Sequence, residues 1–375
     1  MYLKLKKVTV GIAIILGVGY GLTVFTEIPY LSSMRNIWIE TALTTGDHQW
    51  LATSFIPKSV IDKVMAEKIE TTNVISVTSF KEHVDIGQFR AEFNDDGGNL
   101  SKGEEASSKK ETANNGIKAG QMVDLLNQKY LGDTDEFGNK ILVNDIEQGI
   151  VITEIKSITY NGQLVMIDDP SRVIVGQTDQ KGIRGKLITD YLKDYDAVVG
   201  INANGFPDPD GSGSGGDILG RSLSAGEEWG EAPREFSTTI GLDDKNRLVV
   251  GHINDWEKYS LRDAAQFKPV LIADGKIITT GSAGWGIHPR TVVGQRSDGV
   301  IVFMVVDGRQ PGHSIGITVG EVAEILFKYG VVNAAACDGG SSSVLAYDGK
   351  IMNKPSTPME YGRYLPNAFL VKAKH

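Results

Sequence analysis

The sequence is poor in cysteine and in positive charge. Cys337 is its one cysteine among 375 residues, so an internal disulfide is excluded. Thirty-eight Lys and Arg stand against 47 Asp and Glu, which gives a net charge of −9. A general nucleic-acid binder needs a basic surface, so nucleic acid is not an expected partner. No Cys/His cluster has the spacing of a zinc site.

One long uncharged run is present, at the N-terminus. Three lysines within the first seven residues precede residues 8–25, which carry no charge. At about 1.5 Å per residue this run nearly spans a hydrocarbon core of about 30 Å. The lysines should stay on the cytoplasmic side, and no small-x-small cleavage pattern follows at 26–33. We therefore expect residues 1–30 to be a cytoplasmic tip and single-pass membrane anchor, with an extracytoplasmic remainder; a cleaved signal peptide is the alternative.

The rest of the chain divides into three segments. Residues 31–93 contain "SVIDKVMAEKIE", whose apolar residues have helical spacing, and are predicted to be a partly helical membrane-proximal segment. Residues 94–117 are polar and rich in Gly and Ser, which is typical of a flexible linker. Residues 118–375 alternate β-rich runs with helical patterns and predict a mixed α/β domain. Its hairpin turns are expected at Asn161-Gly162, Asp274-Gly275, Asp298-Gly299 and Asp348-Gly349.

A β-α-β unit is predicted at 300–337. The apolar strand "VIVFMVV" is followed by a helix with a Thr318/Glu321 capping box, and "VVNAAAC" forms the next buried strand. Such a unit implies two parallel strands joined by a right-handed crossover. Asp307 follows the first strand and Asp338 follows the second. Both should lie at the edge where open α/β sheets bind ligands.

The stretch "CDGGSSS" is the strongest candidate for a site. Asp338 is followed by Gly339, Gly340 and Ser341, whose amides can form a nest for an anion. Taken alone, Asp-Gly is more often a plain turn, but the glycines and serines at a strand end favour a site. Asp338 and Asp307 are the candidate catalytic carboxylates. Predicted substrate or phosphate ligands from the other strand ends are Asn202, Asn204, His288, Arg290 and Arg309, with His313 nearby.

Two further patterns are weaker. "DPDGSGSGGD" begins like a calcium loop, with Asp208 and Asp210 as candidate ligands, but the twelfth position is Leu219 instead of Glu. We therefore expect no metal or cofactor, with a divalent cation at this loop as the alternative, and interpret the loop as a lid. Cys337 is interpreted as a small buried residue and not as a nucleophile.

Five blocks between about residues 150 and 372 resemble the phosphodiester glycosidase family. They are "INANGF", "HPRTVVGQ", "VVDGRQ", "SIGITVGEVAEILFKYGVVNAAACDGGSSSV" and "PNAFLV". The resemblance implies hydrolysis of a sugar-1-phosphodiester and, as in many bacterial relatives, a membrane-anchored surface protein. It implies functional positions at Asn202, Arg290, Asp307, Arg309 and Asp338. Ala336-Cys337 replaces the family's typical Asn-Leu, and Ser341 stands where a third glycine is common.

The residues leave the chemistry open in two respects. Cleavage at the anomeric carbon needs a carboxylate near that carbon, whereas attack at phosphorus needs in-line positioning and charge neutralisation. The expected partner is a phosphorylated glycan, such as a cell-envelope or exopolysaccharide polymer. A transferase or lyase acting on such a polymer, or a non-catalytic glycan-binding module, are the alternatives. Two carboxylates in a cationic site would oppose phosphate binding, which favours catalysis over binding.

Overall fold

The computed structural model describes residues 2–45, 48–66, 74–79, 133–231 and 238–375. The predicted linker, 94–117, lies outside the described residues, as does the start of the domain predicted from residue 118. Within the described parts the fold is mixed α/β and rich in antiparallel sheet, as the sequence predicts.

The N-terminal part is a small helical unit with its own apolar core. Its helices are α1 (Tyr2–Phe25), α2 (Pro29–Leu43), α3 (Trp50–Thr53) and α4 (Lys58–Ala66). Ile39 on α2 packs with Ala52, Ile61 and Val64. The described part of the predicted membrane-proximal segment is therefore largely helical.

Where the sequence predicts a membrane anchor, the structure has a bent pair of helices. Among the residues whose side chains the structure describes, no single helix is long and apolar enough to cross a membrane. Residues Ile14–Phe25 and Pro29–Leu43 meet the length and composition test only together, across an 80° bend.

Three antiparallel sheets build the larger part of the protein. The first has eight strands, in the spatial order β13 (Lys276–Ile277), β12 (Val270–Ala273), β16 (Val331–Ala336), β14 (Arg290–Arg296), β15 (Ile301–Val306), β4 (Asn161–Ile167), β3 (Ile150–Lys156) and β2 (Ile141–Asp145). The second has five, in the order β18 (Lys350–Ile351), β17 (Leu345–Tyr347), β6 (Ala197–Asn202), β19 (Asn367–Lys372) and β5 (Val173–Gln177). The third has six, in the order β1 (Ile75–Val77), β10 (Leu248–Gly251), β9 (Thr238–Asp243), β11 (Leu261–Phe267), β7 (Arg221–Ser224) and β8 (Glu227–Gly230).

The three sheets share one core, and helices cover the outer faces of two of them. Strand β15 is apolar throughout because both its faces are buried: Phe303 points to the shared core, and Met304 points to the face covered by helix α6 (Val319–Lys328). Helix α5 (Ile188–Asp194) covers the five-stranded sheet in the same way.

The predicted β-α-β unit is present with one difference. Strands β15 and β16 run in the same direction, but β14 lies between them and pairs antiparallel with both. Helix α6 begins with the predicted capping box of Thr318 and Glu321. Asp307 and Asp338 therefore leave the same edge of the eight-stranded sheet, separated by the start of β14.

Three of the four predicted hairpin turns are found, and the first is wrong. Asp274-Gly275 and Asp348-Gly349 turn with positive φ at both residues, and Asp298-Gly299 lies between β14 and β15. Asn161-Gly162 instead opens β4, and the turn is made by residues 157–160. Gly162 is needed in the strand because a Cβ there would lie 2.7 Å from the Val305 carbonyl oxygen.

Candidate active site

Asp338 lies where the chain crosses from one sheet to another. It follows β16 of the eight-stranded sheet and precedes β17 of the five-stranded sheet. Its amide donates to the Ala203 carbonyl at 2.8 Å, and its carbonyl accepts from Asn202 Nδ2 at 2.7 Å. Both partners stand at the end of β6, so the backbone of Asp338 is fixed to the neighbouring sheet.

The two glycines after Asp338 are required by close neighbours. A Cβ on Gly339 would lie 2.7 Å from the Pro289 carbonyl oxygen, and Gly340 has φ of +61° with the Arg309 guanidinium 3.0 Å from its would-be Cβ. Gly340 N–H donates to Pro289 O at 3.0 Å, and Gly339 N–H bonds the Asp338 carboxyl. Both amides are therefore used to hold the loop. Their placement does not support the anion nest, which stays a prediction.

The Asp338 carboxyl is held in a largely desolvated environment. Burial raises its pKa to about 6, against the opposing effects of hydrogen bonds from Ser342 and Gly339 and of the charges on Arg363 and Arg309. A carboxyl with this pKa changes protonation near neutral pH, which is where an acid, a base or a charge stabiliser is useful.

The cationic Arg309 and the neutral His288 lie in contact beside this loop. Arg309 Nη2 lies 3.3 Å from His288 Nδ1, and Nη1 makes a long 3.5 Å contact with Ser341 Oγ. Burial and the charges of Arg290 and Arg309 lower the pKa of His288 to about 2, so the ring is neutral. Because a guanidinium only donates, Nδ1 accepts and the ring proton sits on Nε2.

The Nε2 side of His288 faces the N-terminal helical unit. His288 Nε2 lies 2.6 Å from Thr44 Oγ1, and Thr44 donates its own proton to the Glu40 carbonyl at 2.6 Å. Thr41 also accepts from the Ile287 amide at 3.0 Å. The end of α2 thus occupies the Nε2 side of His288.

Arg290 is buried next to His288. Its guanidinium donates to three backbone carbonyls, those of Ile317, Trp285 and Gly286. It fixes the loops around His288, and its predicted contact with phosphate stays a prediction.

The two predicted asparagine ligands are fully buried. Asn202 Nδ2 holds the Asp338 carbonyl, while its Oδ1 accepts from Thr291 Oγ1 at 2.7 Å and from Val344 N at 3.2 Å. Asn204 belongs to a deeper polar cluster and bonds Asn367. As placed, both support the backbone of the site, and a direct substrate contact stays untested.

The Asp307 carboxylate shares the sheet edge with Asp338 but faces other partners. It is 2% exposed and accepts from Lys354 N, from Asn353 Nδ2 at 2.9 Å and from His313 Nε2 at 2.8 Å. Asn353 Nδ2 also donates to Ser343 O. Asp307 therefore ties the segment after Asp338 to β15, and its predicted catalytic role lacks a supporting contact.

Two other reactive groups near the edge are structural. The stretch "GHSIG" at 312–316 has the Gly-x-Ser-x-Gly spacing of a nucleophile elbow, but Ser314 is buried and donates to Asp307 O at 2.6 Å. Cys337 is buried in the shared core, and burial raises the pKa of its thiol, which disfavours the reactive thiolate.

The predicted calcium loop is fastened by an arginine. Both carboxylate oxygens of Asp208 bind Arg363, at 2.5 and 2.8 Å, while the Asp210 side chain lies outside the described residues. In the described part of the chain, no group of three or more His, Cys, Asp or Glu is arranged to hold a metal.

Arg363 and Thr44 are the site residues that the sequence prediction missed. Ser342 lies inside the quoted "DGGSSS" run, but nothing there distinguishes it from its neighbours. Arg363 and Thr44 reach the site from segments distant in sequence, and no local pattern marks them.

Comparisons with known proteins find matches to the part of the chain that carries these residues. The family model of the phosphodiester glycosidases matches residues 195–372. This part of the chain is therefore similar to the phosphodiester glycosidase family, the family that the sequence blocks resemble. The matched part contains the whole of the Asp338 loop, Arg309 and His288.

Two relatives and one solved structure illustrate the match. The SPbeta prophage-derived uncharacterized protein YomE of Bacillus subtilis is 29% identical over 204 residues, 51% of this chain. The N-acetylglucosamine-1-phosphodiester alpha-N-acetylglucosaminidase of Bos taurus is 40% identical over 163 residues, 38% of this chain. The alignments span 30% of the length of each relative.

The solved structure is the zebrafish N-acetylglucosamine-1-phosphodiester alpha-N-acetylglucosaminidase catalytic domain, auto-inhibited by its pro-peptide. The match has a TM-score of 0.50 and 20% identity, and covers 60% of this chain and 82% of that one. At this identity the likeness shows a shared fold.

Proposed function

We propose that this protein is a hydrolase that cleaves a sugar-1-phosphodiester between the anomeric carbon and its oxygen. The observation that carries the proposal is the Asp338 carboxyl, whose pKa burial raises to about 6, at the edge of an arginine-lined site. The family match of residues 195–372 supports the same activity.

The proposed reaction gives a role to Asp338, Arg309 and His288. As the C1–O bond breaks, positive charge develops at C1, and the ionised Asp338 carboxylate stabilises it. The phosphate leaves with the bonding electron pair as a monoester, and Arg309 neutralises its charge. Water adds to C1 and becomes the new hydroxyl of the sugar, and the proton that it loses passes to the phosphate monoester or to bulk water. Once Thr44 moves away, the neutral ring of His288 donates a hydrogen bond from Nε2–H to the substrate. This contact adds no charge to the site.

The cellular setting is the second part of the proposal. Residues 8–25 would anchor the protein in the membrane, with the larger domain outside the cytoplasm. The substrate would then be a phosphodiester-bearing glycan of the cell envelope or of an exopolysaccharide. The uncharged run and the lysines before it support this placement.

A panel of sugar-1-phosphodiesters tests the activity, beginning with an N-acetylglucosamine-1-phosphodiester because the bovine relative is named for that bond. We expect the wild type to release free sugar and the Asp338→Asn variant to lose at least about 10²-fold in kcat. Binding without turnover by the wild type would favour the alternative, a glycan-binding module.

A further inference from the structure

Arg363 is held rigidly at the border of the site. It lies between β18 and β19, and its guanidinium forms a bidentate pair with Asp208. It also donates to Gly213 O at 3.2 Å and stacks over the Phe206 ring, 4.6 Å from the ring centroid. Four contacts thus fix a side chain that sequence reasoning did not assign.

The same contacts bring Arg363 to the approach to Asp338. Phe206 follows Gly205, and a Cβ built on Gly205 would lie 3.7 Å from Asp338 Cγ. The residue that carries the ring under Arg363 is therefore the direct chain neighbour of a glycine packed against the Asp338 carboxyl. The charge of Arg363 also acts on the Asp338 carboxyl, together with that of Arg309.

Arg363 retains hydrogen-bonding capacity for a ligand. A guanidinium has five N–H donors, and two of these bind Asp208 while a third binds Gly213 O. Among the described residues, Nε–H and the second Nη1–H have no protein acceptor. The side chain is 11% exposed, so a ligand can reach it, and the Asp208 pair has already ordered it.

We propose that Arg363 is a second phosphate-binding residue of the substrate site, in addition to Arg309, and that Asp208 is the positioning residue that holds its guanidinium. This inference rests on the proposed function and specifies which residues recognise the diester. Two arginines beside Asp338 would select a sugar that carries an anionic group at C1 over the same sugar without one.

Calorimetric titration of the full chain tests this assignment. The probes are N-acetylglucosamine 1-phosphate and, as the uncharged comparison, N-acetylglucosamine. We expect Arg363→Gln to weaken binding of the phosphate by about tenfold or more, the loss expected for a charge-assisted hydrogen bond, and to leave binding of the uncharged sugar within about twofold. Arg363→Lys keeps the charge but loses the fork, so it should fall between.

Asp208→Asn separates positioning from contact. It should raise KM for a sugar-1-phosphodiester by less than Arg363→Gln and leave kcat nearly unchanged, because Arg363 keeps its charge and loses only its fixed orientation. The double variant Asp208→Asn/Arg363→Gln removes both charges together. It provides a folded test if the single variant, with an unpaired Asp208, does not fold.

Arg221→Gln is the matched control, because Arg221 also pairs with a carboxylate, Glu228, and stacks on an aromatic ring, Trp256. It should bind the phosphate like the wild type. If folded Arg363→Gln, or the double variant, binds the phosphate as tightly as the wild type does, the inference is wrong while the proposed function stands. If the wild type neither binds the phosphate nor cleaves a diester, both are wrong.

Discussion

Asp338 combines a raised pKa with neighbouring positive charge, and this combination sets the pH dependence of activity. Its pKa is about 6. If the ionised carboxylate stabilises C1, kcat/KM should rise with pH through this pKa and then level off, since kcat/KM reports the free enzyme. Arg363→Gln removes a charge that lowers this pKa, so the rising limb should move to higher pH. If kcat/KM instead falls as pH rises through this pKa, Asp338 acts as an acid.

The same carboxyl lowers the stability of the fold above its pKa. The unfolded carboxyl titrates near the ordinary value of 3.8 and the folded one near 6. Between these values the folded state binds more protons, so stability falls as pH rises through this window. Asp338→Asn keeps an acceptor for Ser342 and removes the charge, and should gain about 3 kcal/mol above pH ~7 and none from this source below pH ~4.

Thermal melts of both proteins across this pH range measure the effect. A variant less stable than the wild type at every pH would mean that Asp338 is a structural turn residue. Higher stability combined with lost turnover is the pattern of a group kept for function at a cost in folding free energy.

At the scale of elements, the end of α2 bonds the Nε2 side of His288, and under the proposed function it competes there with substrate. Thr44→Val removes the acceptor for His288 Nε2–H. It should lower the unfolding free energy by about 1 kcal/mol and raise kcat/KM, because Nε2–H becomes available to substrate. Steady-state kinetics and a melt on the same preparation test both effects.

Thr45→Val is the control, since in the described part of the chain the Thr45 hydroxyl bonds within its own helix turn, to Thr41 O at 2.7 Å. It should leave kcat/KM unchanged. A Thr44→Val protein with lower stability and wild-type kcat/KM would show that the helix packs against His288 without limiting its access to substrate.

The elements also show which features a sequence can predict. The capping box of α6 and the Asp-Gly turns depend on neighbours within a few residues, so the sequence predicts them. The insertion of β14 between β15 and β16 depends on pairings between distant segments. The turn predicted at Asn161-Gly162 is wrong because the close approach of Val305, and not a turn, requires the glycine there.

The features of the site likewise divide into those that the sequence predicts and those that it does not. Asp338 and its glycines stand together in the sequence, so the loop can be predicted. The partners that decide each side chain's role cannot, because Thr44, Asn202 and Arg363 come from widely separated segments. Asp307 looked equivalent to Asp338 from its place at a strand end, and only its burial against Lys354 N and His313 separates the two.

At the scale of the whole molecule, the helical N-terminus would place the site next to a membrane. With the native N-terminus, the protein should stay with membranes through an alkaline carbonate wash and dissolve in detergent. Replacing Ile15 and Leu16 by Asp should release it, since each carboxylate costs about 2.5–3.5 kcal/mol near the centre of a spanning helix. Release of the wild type by carbonate alone would contradict the anchor.

The central claim is that the site around Asp338 cleaves the bond to the anomeric carbon. Hydrolysis of a sugar-1-phosphodiester in ¹⁸O-labelled water, with mass spectrometry of the phosphate monoester released, tests it most directly. Cleavage of the C1–O bond predicts an unlabelled phosphate monoester, formed by the wild type and hardly at all by Asp338→Asn. A phosphate monoester carrying ¹⁸O would mean attack at phosphorus and would contradict the account.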